Sequence, residues 1–245
     1  ILVSASTLYS QEIEWQNTIG GSFPDDLFSL QKSSDGGYIL GGVSLSNISG
    51  DKTENCFGLE DYWILKTDSL GNIQWQNTIG GSDWDRLHSI KQTLDGGYIL
   101  GGYSRSNISG DKTEISLGDF DYWILKTDSF GNILWQNTIG GSGGEILYSI
   151  QQTSDGGFLL GGNSYSNISG DKTENNIGWG DYWIVKTDSL GSIQWQNTIG
   201  GSNYDILYSI EQASDGGYLL GGHSSSNISG DKTENSLGSY DFWIV

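Results

Sequence analysis

The sequence is poor in the groups that chemistry ordinarily uses. Its 245 residues include one cysteine, one proline, two histidines and no methionine. A lone cysteine, Cys56, excludes an intrachain disulfide and a cysteine-based zinc site. Positive charge is scarce as well: 11 Lys and Arg face 30 Asp and Glu, a net charge of −19. Such a surface repels phosphate backbones, so no nucleic acid is expected as a partner, and anionic membranes are disfavoured for the same reason. No apolar run approaches the ~18–20 residues that a membrane helix needs, so no membrane span is expected. No Ser-His-Asp grouping and no phosphate-binding glycine loop occurs.

What is abundant is glycine, with 38 residues, together with 13 tyrosines and 10 tryptophans. These residues are poor helix formers and suit strands and tight turns. They also recur at fixed places. Trp-Gln-Asn-Thr-Ile-Gly-Gly-Ser begins at Trp15, Trp75, Trp135 and Trp195, and Asn-Ile-Ser-Gly-Asp-Lys-Thr-Glu begins at Asn47, Asn107, Asn167 and Asn227. The period in both cases is 60 residues. A fixed period of this kind denotes a repeat architecture. It also argues against catalysis, because an active site needs different groups on one point and near-copies supply the same groups repeatedly. The acid belongs to the unit too, in columns headed by Asp35, Asp51, Glu54, Asp61 and Asp68.

The second unit shows what one repeat builds. Ile73–Ile79 alternates apolar and polar residues, the period-two signature of a strand. Residues 87–93, 98–104 and 121–127 make three more strands, and Asp95-Gly96 supplies the hairpin turn between two of them. The stretch 107–119 is a long polar loop. Four short antiparallel strands per unit predict an all-β fold, a β-propeller of four-stranded blades with units starting near 13, 73, 133 and 193. Residues 13–19 form a lone outer strand, and the last unit stops after its third strand at Val245. Pairing these two would close a four-bladed ring; the other arrangement is an open arc of a larger ring. Residues 1–10, apolar with small residues, read as the remnant of a signal peptide cleaved before Gln11, which leaves 11–245 as propeller repeats and predicts a fragment of a longer secreted protein.

The turn Asp68-Ser-Leu-Gly-Asn-Ile-Gln-Trp75 resembles the tryptophan-docking repeat of quinoprotein-type propellers, with the Asp-to-Gly spacing one residue shorter. The resemblance implies that Trp75, Trp135 and Trp195, and by position Trp15, pack on the neighbouring blade. The whole unit, with "DGGYILGG" and "DYWILKTDSLGNIQWQ", resembles repeats of secreted Bacteroidetes proteins that carry a type IX secretion sorting domain. That likeness covers residues 13–245 and implies a secreted or cell-surface location, with no catalytic residue to transfer. Quinone-dependent dehydrogenases of the propeller kind use adjacent cysteines, which this chain does not have.

Candidate sites follow from what differs between copies. The units diverge at 23–26, at the end of the third strand (Val43 and Leu45, Tyr103 and Arg105, Asn163 and Tyr165, His223 and Ser225), and in the 55–60 loop, which holds Phe57, Phe120, Trp179 and Tyr240. Varied aromatics at strand ends suit stacking on sugar rings or contacts with protein side chains. Trp84, Tyr103, Tyr165, Trp179, Tyr204 and Tyr240 are the expected contact residues; drift after recent duplication is the bland alternative. The acids Asp51 and Glu54, with Asp111, Glu114, Asp171, Glu174, Asp231 and Glu234, form oxygen-rich loops in which calcium is one reading and turn-capping the other. No other cofactor is expected. The resulting expectation is a non-catalytic binding or adhesion scaffold for glycans or surface proteins. The alternatives are a passive spacer and, third, an enzyme of quinoprotein or glycosidase type.

Overall fold

A computed structural model describes residues 12–245; the leader-like segment 1–10 lies outside them. Fifteen strands form four antiparallel sheets in sequence order. The first holds β1 (Asp25–Lys32), β2 (Tyr38–Ser44), β3 (Asp61–Thr67) and β4 (Ile73–Ile79). The second holds β5 (Asp85–Gln92), β6 (Tyr98–Ser104), β7 (Asp121–Thr127) and β8 (Ile133–Ile139). The third holds β9 (Glu145–Gln152), β10 (Phe158–Ser164), β11 (Asp181–Thr187) and β12 (Ile193–Ile199). The fourth has three strands, β13 (Asp205–Gln212), β14 (Tyr218–Ser224) and β15 (Asp241–Ile244). The expected strands of the second unit all form, and β5 starts two residues early because Asp85 N–H bonds Glu60 O at 2.8 Å and Asp85 pairs with Ser104. No helix among the described residues is long and apolar enough to cross a membrane.

The sheets are arranged as propeller blades. The first strands β1, β5, β9 and β13 pack on one another in series, whereas the last strands β4, β8 and β12 do not, so the sheets converge on their inner strands. Each inner strand carries a bulge. The pairing of β5 with β6 skips His88, so Leu87 and Ile90, three residues apart, face the same flank. There they join Ile39, Tyr62 and Ile64 of the first sheet and Tyr98, Leu100, Trp123 and Leu125 of the second in one buried cluster. Both faces of the central sheets are covered in this way, which is why β3, β7 and β11 read as consecutive apolar residues and are buried throughout.

Close approach of the sheets depends on glycine. A Cβ on Gly41 would lie 2.6 Å from Leu87, and one on Gly101 would lie 2.7 Å from Leu147. These glycines are flat sockets for the leucine and isoleucine of the next sheet. The adjacent Gly102 is more tightly constrained: its Cβ would stand 1.9 Å from Arg86 O and 2.6 Å from Tyr62 Oη. Tyr62 reaches over this glycine from the first sheet and donates to Trp123 O at 3.1 Å; Tyr122 does the same to Trp183 O at 3.0 Å.

The outer-strand tryptophans lie on the following sheet. Trp75 packs on Tyr98 at 5.9 Å and over Gly131, a turn glycine with φ of 83°, while Asn77 Nδ2 donates to Gly131 O at 2.8 Å. Trp135 repeats this on Phe158, and Trp195 on Tyr218. Trp15 lies against Tyr38 of the first sheet, and Asn17 donates to Gly71 O at 2.8 Å. Residues 13–19 therefore do not pair with β15, and no substantial contact joins the first sheet to the last. Of the two arrangements the strand count permits, seam closure into four blades is corrected to an open arc: residues 13–19, expected as an outer strand, form no strand and lie against the first sheet, away from the last.

Gly102→Ala should cost about 3 kcal/mol in chemical denaturation, because a methyl group there meets the β5 backbone at Arg86 O within its own sheet and displaces the Tyr62 hydroxyl that crosses from the first sheet. Tyr122→Phe should cost about 1 kcal/mol, the worth of one buried hydrogen bond. Equal losses in the two variants would contradict this ranking.

Candidate functional site: the aromatic rim

The starts of β1, β5, β9 and β13 and the loops 45–60, 105–120, 165–180 and 225–240 lie at one end of the sheets; the hairpin turns at 33–37 and 68–72 and their copies lie at the other. Parallel bridges Glu60↔Trp84, Phe120↔Gly144 and Gly180↔Tyr204 knit the loop of one sheet to the approach of the next inner strand. All three variable segments therefore meet at one rim.

Constant carboxylates build this rim. Asp85 Oδ2 accepts Gly81 N–H at 2.6 Å and the Ser106 hydroxyl at 3.0 Å, and Glu145 and Asp205 likewise take Gly141 and Gly201 N–H. Asp121 accepts Leu117 N–H at 2.8 Å and Asp181 accepts Ile177 N–H at 2.6 Å, which pins the long loops. The acids suggested for calcium make similar bonds. Asp51, Asp111, Asp171 and Asp231 accept N–H from Gly20, Gly80, Gly140 and Gly200. Glu54, Glu114 and Glu174 accept N–H from Thr78, Thr138 and Thr198, and Glu234 is exposed. No group of three or more His, Cys, Asp or Glu converges among the described residues. Lys52, Lys112 and Lys172 are buried beside these loops, over Trp63, Trp123 and Trp183 at 5.4–5.6 Å.

Variable residues decorate this frame. The bulge residues Phe28, His88, Tyr148 and Tyr208 form an aromatic ladder along the inner strands, with successive ring centroids 4.9, 5.0 and 4.9 Å apart. Tyr103 joins it at His88, and His223 joins it at Tyr208. Around it stand the expected contact residues. Trp84 stacks with Phe120 at 6.2 Å and an interplanar angle of 13°. Tyr204 lies 6.3 Å from Trp179 and 6.4 Å from Tyr165, and Tyr240 lies 4.8 Å from His223. Trp84, Tyr165, Trp179, Tyr204 and Tyr240 are exposed. Tyr103 differs: it is buried against His88 and Phe120 and supports the rim from beneath.

The bulge column was the part of the rim not singled out beforehand. Its signal is present, since two apolar residues three apart on one flank cannot belong to a regular strand. The two arginines of the chain also stand here, already neutralised: Arg86 Nη2 meets Glu60 at 2.8 Å, and Arg105 Nε meets Asp119 at 3.2 Å. The rim thus offers aromatic faces and hydrogen-bonding groups, with its arginine charges paired to acids.

No family model matches the chain. The regulatory protein FlaEY of Caulobacter vibrioides is 24% identical over 171 residues, which are 64% of this chain and 18% of that protein. The chain thus spans under a fifth of the relative's length. A mutant of Synechocystis apocarotenoid oxygenase aligns with 89% of this chain and 46% of its own, at 12% identity and a TM-score of 0.43.

Burial sets the titration of the frame. It pushes Asp85 and Asp181 up to about 6, and it raises Asp61, Asp111, Asp121, Glu145 and Asp171 in the same direction. Unfolded Asp titrates near 3.8, so the folded chain takes up protons first and gains stability as pH falls from above 6 towards 4. His88, lowered to about 4 by burial and by Arg86, works the other way over the same interval, but it is one group against seven. Asp155, held down to about 2 by bonds from Thr153 and Lys186, starts to lose its contribution below about 4. The melting temperature should therefore peak between about pH 4 and 6 and fall towards pH 8, with Asp85→Asn flattening the descent. A melting temperature that climbs steadily to pH 8 would refute this assignment.

Proposed function

We propose that the chain is a non-catalytic binding scaffold, presented in secreted form or at the cell surface, whose aromatic rim takes a neutral glycan. The observation that carries this reading is the placement of the differences: near-identical repeats diverge mainly at one end, where Trp84, Tyr165, Trp179, Tyr204 and Tyr240 present exposed rings. Aromatic faces stack on the apolar faces of sugar rings, and flanking amides and hydroxyls satisfy their hydroxyl groups. The net charge of −19 and the neutralised arginines disfavour phosphorylated or nucleic-acid ligands. A protein ligand would use the same rings.

Binding of the purified chain to a glycan and polysaccharide array, with calcium and with chelator, tests the reading. Saturable binding to one sugar class is expected. Trp84→Ala combined with Trp179→Ala should weaken it at least tenfold and leave the melting temperature unchanged, since both rings stand proud of the core. A blank array, or unchanged affinity in the double variant, would overturn it. Binding lost on chelation would add calcium to the Asp51-type loops.

A further inference from the structure

The third repeat departs from the others at the rim, and it does so in several columns at once. Gly143-Gly144 stands where the other copies hold Phe23-Pro24, Asp83-Trp84 and Asn203-Tyr204. Gly180 stands where they hold Glu60, Phe120 and Tyr240, and Asn163 where they hold Val43, Tyr103 and His223. One column changes in the opposite sense: Tyr165 replaces Leu45, Arg105 and Ser225.

These positions meet in space. Tyr165 N–H donates to Gly144 O at 2.9 Å. The Tyr165 ring lies against both glycines: a Cβ on Gly180 would stand 2.6 Å from its Cε1, and one on Gly144 would stand 3.8 Å from its Cδ2. The Cβ on Gly144 would also stand 3.9 Å from Phe120 Cδ2, so two rings flank that glycine. In the second repeat the same ground holds Trp84 stacked on Phe120, with Tyr103 packed edge-on to Phe120. In the third, one exposed tyrosine covers it.

Beneath that tyrosine is an amide. Asn163 has no accessible surface, and neither its Oδ1 nor its Nδ2 has a hydrogen-bond partner. The side chains of its column pack on the loop and the bulge of their own sheet: Tyr103 on Phe120 and His88, and His223 on Tyr240 and Tyr208. Asn163 therefore points under Gly180 and its Tyr165 cover. The Tyr165 hydroxyl lies beside the amide, short of hydrogen-bonding geometry. An unpaired buried amide bears the full cost of leaving water on both atoms. The column does not demand a polar residue, since Val43 fills it, buried, in the first repeat.

We propose, on the reading of the rim as a glycan site, that Asn163 sets its specificity by taking the acetamido group of an N-acetylated sugar. The Tyr165 ring turns off Gly180, as exposed side chains do within nanoseconds, and the acetamido group enters beneath it. Asn163 Nδ2 donates to the acetamido carbonyl, the acetamido N–H donates to Asn163 Oδ1, and the methyl group packs on the rings around the recess. A secondary amide pairs both free atoms at once, whereas a single sugar hydroxyl reaches one end only. A site built around such a group rejects analogues that leave it unpaired.

Isothermal titration with tri-N-acetylchitotriose and with cellotriose tests this, because these neutral trisaccharides differ only in the acetamido groups. The acetylated sugar should bind the parent chain at least about tenfold more tightly. Asn163→Val should abolish the preference by weakening the acetylated sugar and leaving cellotriose unchanged. It should also melt no lower than the parent, because it removes an unpaired buried amide. Equal affinity of the parent for the two sugars, a measurement that needs no variant, would overturn the proposal, and so would a preference that survives Asn163→Val. Binding of neither trisaccharide by a chain that binds another neutral glycan would overturn this subsite alone. Binding of no neutral glycan at all would remove the reading of the rim together with it.

Discussion

The structure depends on one contact, the seating of a leucine and isoleucine pair on a bare glycine of the neighbouring sheet. An isolated four-stranded sheet with two apolar faces cannot hide either of them from water, so no blade is stable alone. The bulge aims both side chains at one flank, and glycine removes the Cβ that would hold the sheets apart. The tyrosine that crosses from one sheet to a carbonyl of the next, and the tryptophan that lies over the turn glycine, are possible only at the spacing this contact sets. Conversely, where the contact has no partner, at Leu27 and Leu30 and at Gly221, the flank residues are exposed.

The two ends of each sheet have different roles. The hairpin-turn end varies little from copy to copy, and its aspartates bond their own turns or the lysines Lys66, Lys126 and Lys186. The opposite end has equally constant acids, those in the Asp61 and Asp85 columns largely buried, and they hold loops through backbone N–H groups. Because the frame grips main chain, the side chains of the loops are free to differ. Phe, Tyr, Trp, His and Arg appear in columns that perform no structural task common to all copies. Such a division suits recognition, in which rigid presentation and variable chemistry have to coexist.

Much of this was legible in the sequence. The 60-residue period fixes the number of sheets, the alternation in Ile73–Ile79 marks an outer strand with one wet face, and the unbroken apolar run Tyr122–Leu125 marks a strand covered on both sides. The docking role of Trp75 was implied by resemblance and agrees with its place over Gly131. Closure was not legible, because strand counting gives the parts of a ring and not its curvature, which depends on how far each pair of flanks splays. The aromatic ladder at Phe28, His88, Tyr148 and Tyr208 was missed because a bulge residue falls out of phase with the period-two pattern. The exposure of Tyr103 was misjudged because its burial comes from His88 on the inner strand and Phe120 in a distant loop, neighbours that no local pattern reveals.

The same substitution at two places in one column measures the central contact most directly. Gly161 and Gly221 have equivalent backbones; Ile210 and Leu207 cover the first, and nothing covers the second. Thermal unfolding of Gly161→Leu should show a large loss of stability, while Gly221→Leu should melt within a degree or two of the parent. Equal destabilisation by the two would mean that glycine serves the strand backbone itself, and that seating between sheets is not what holds the arc together.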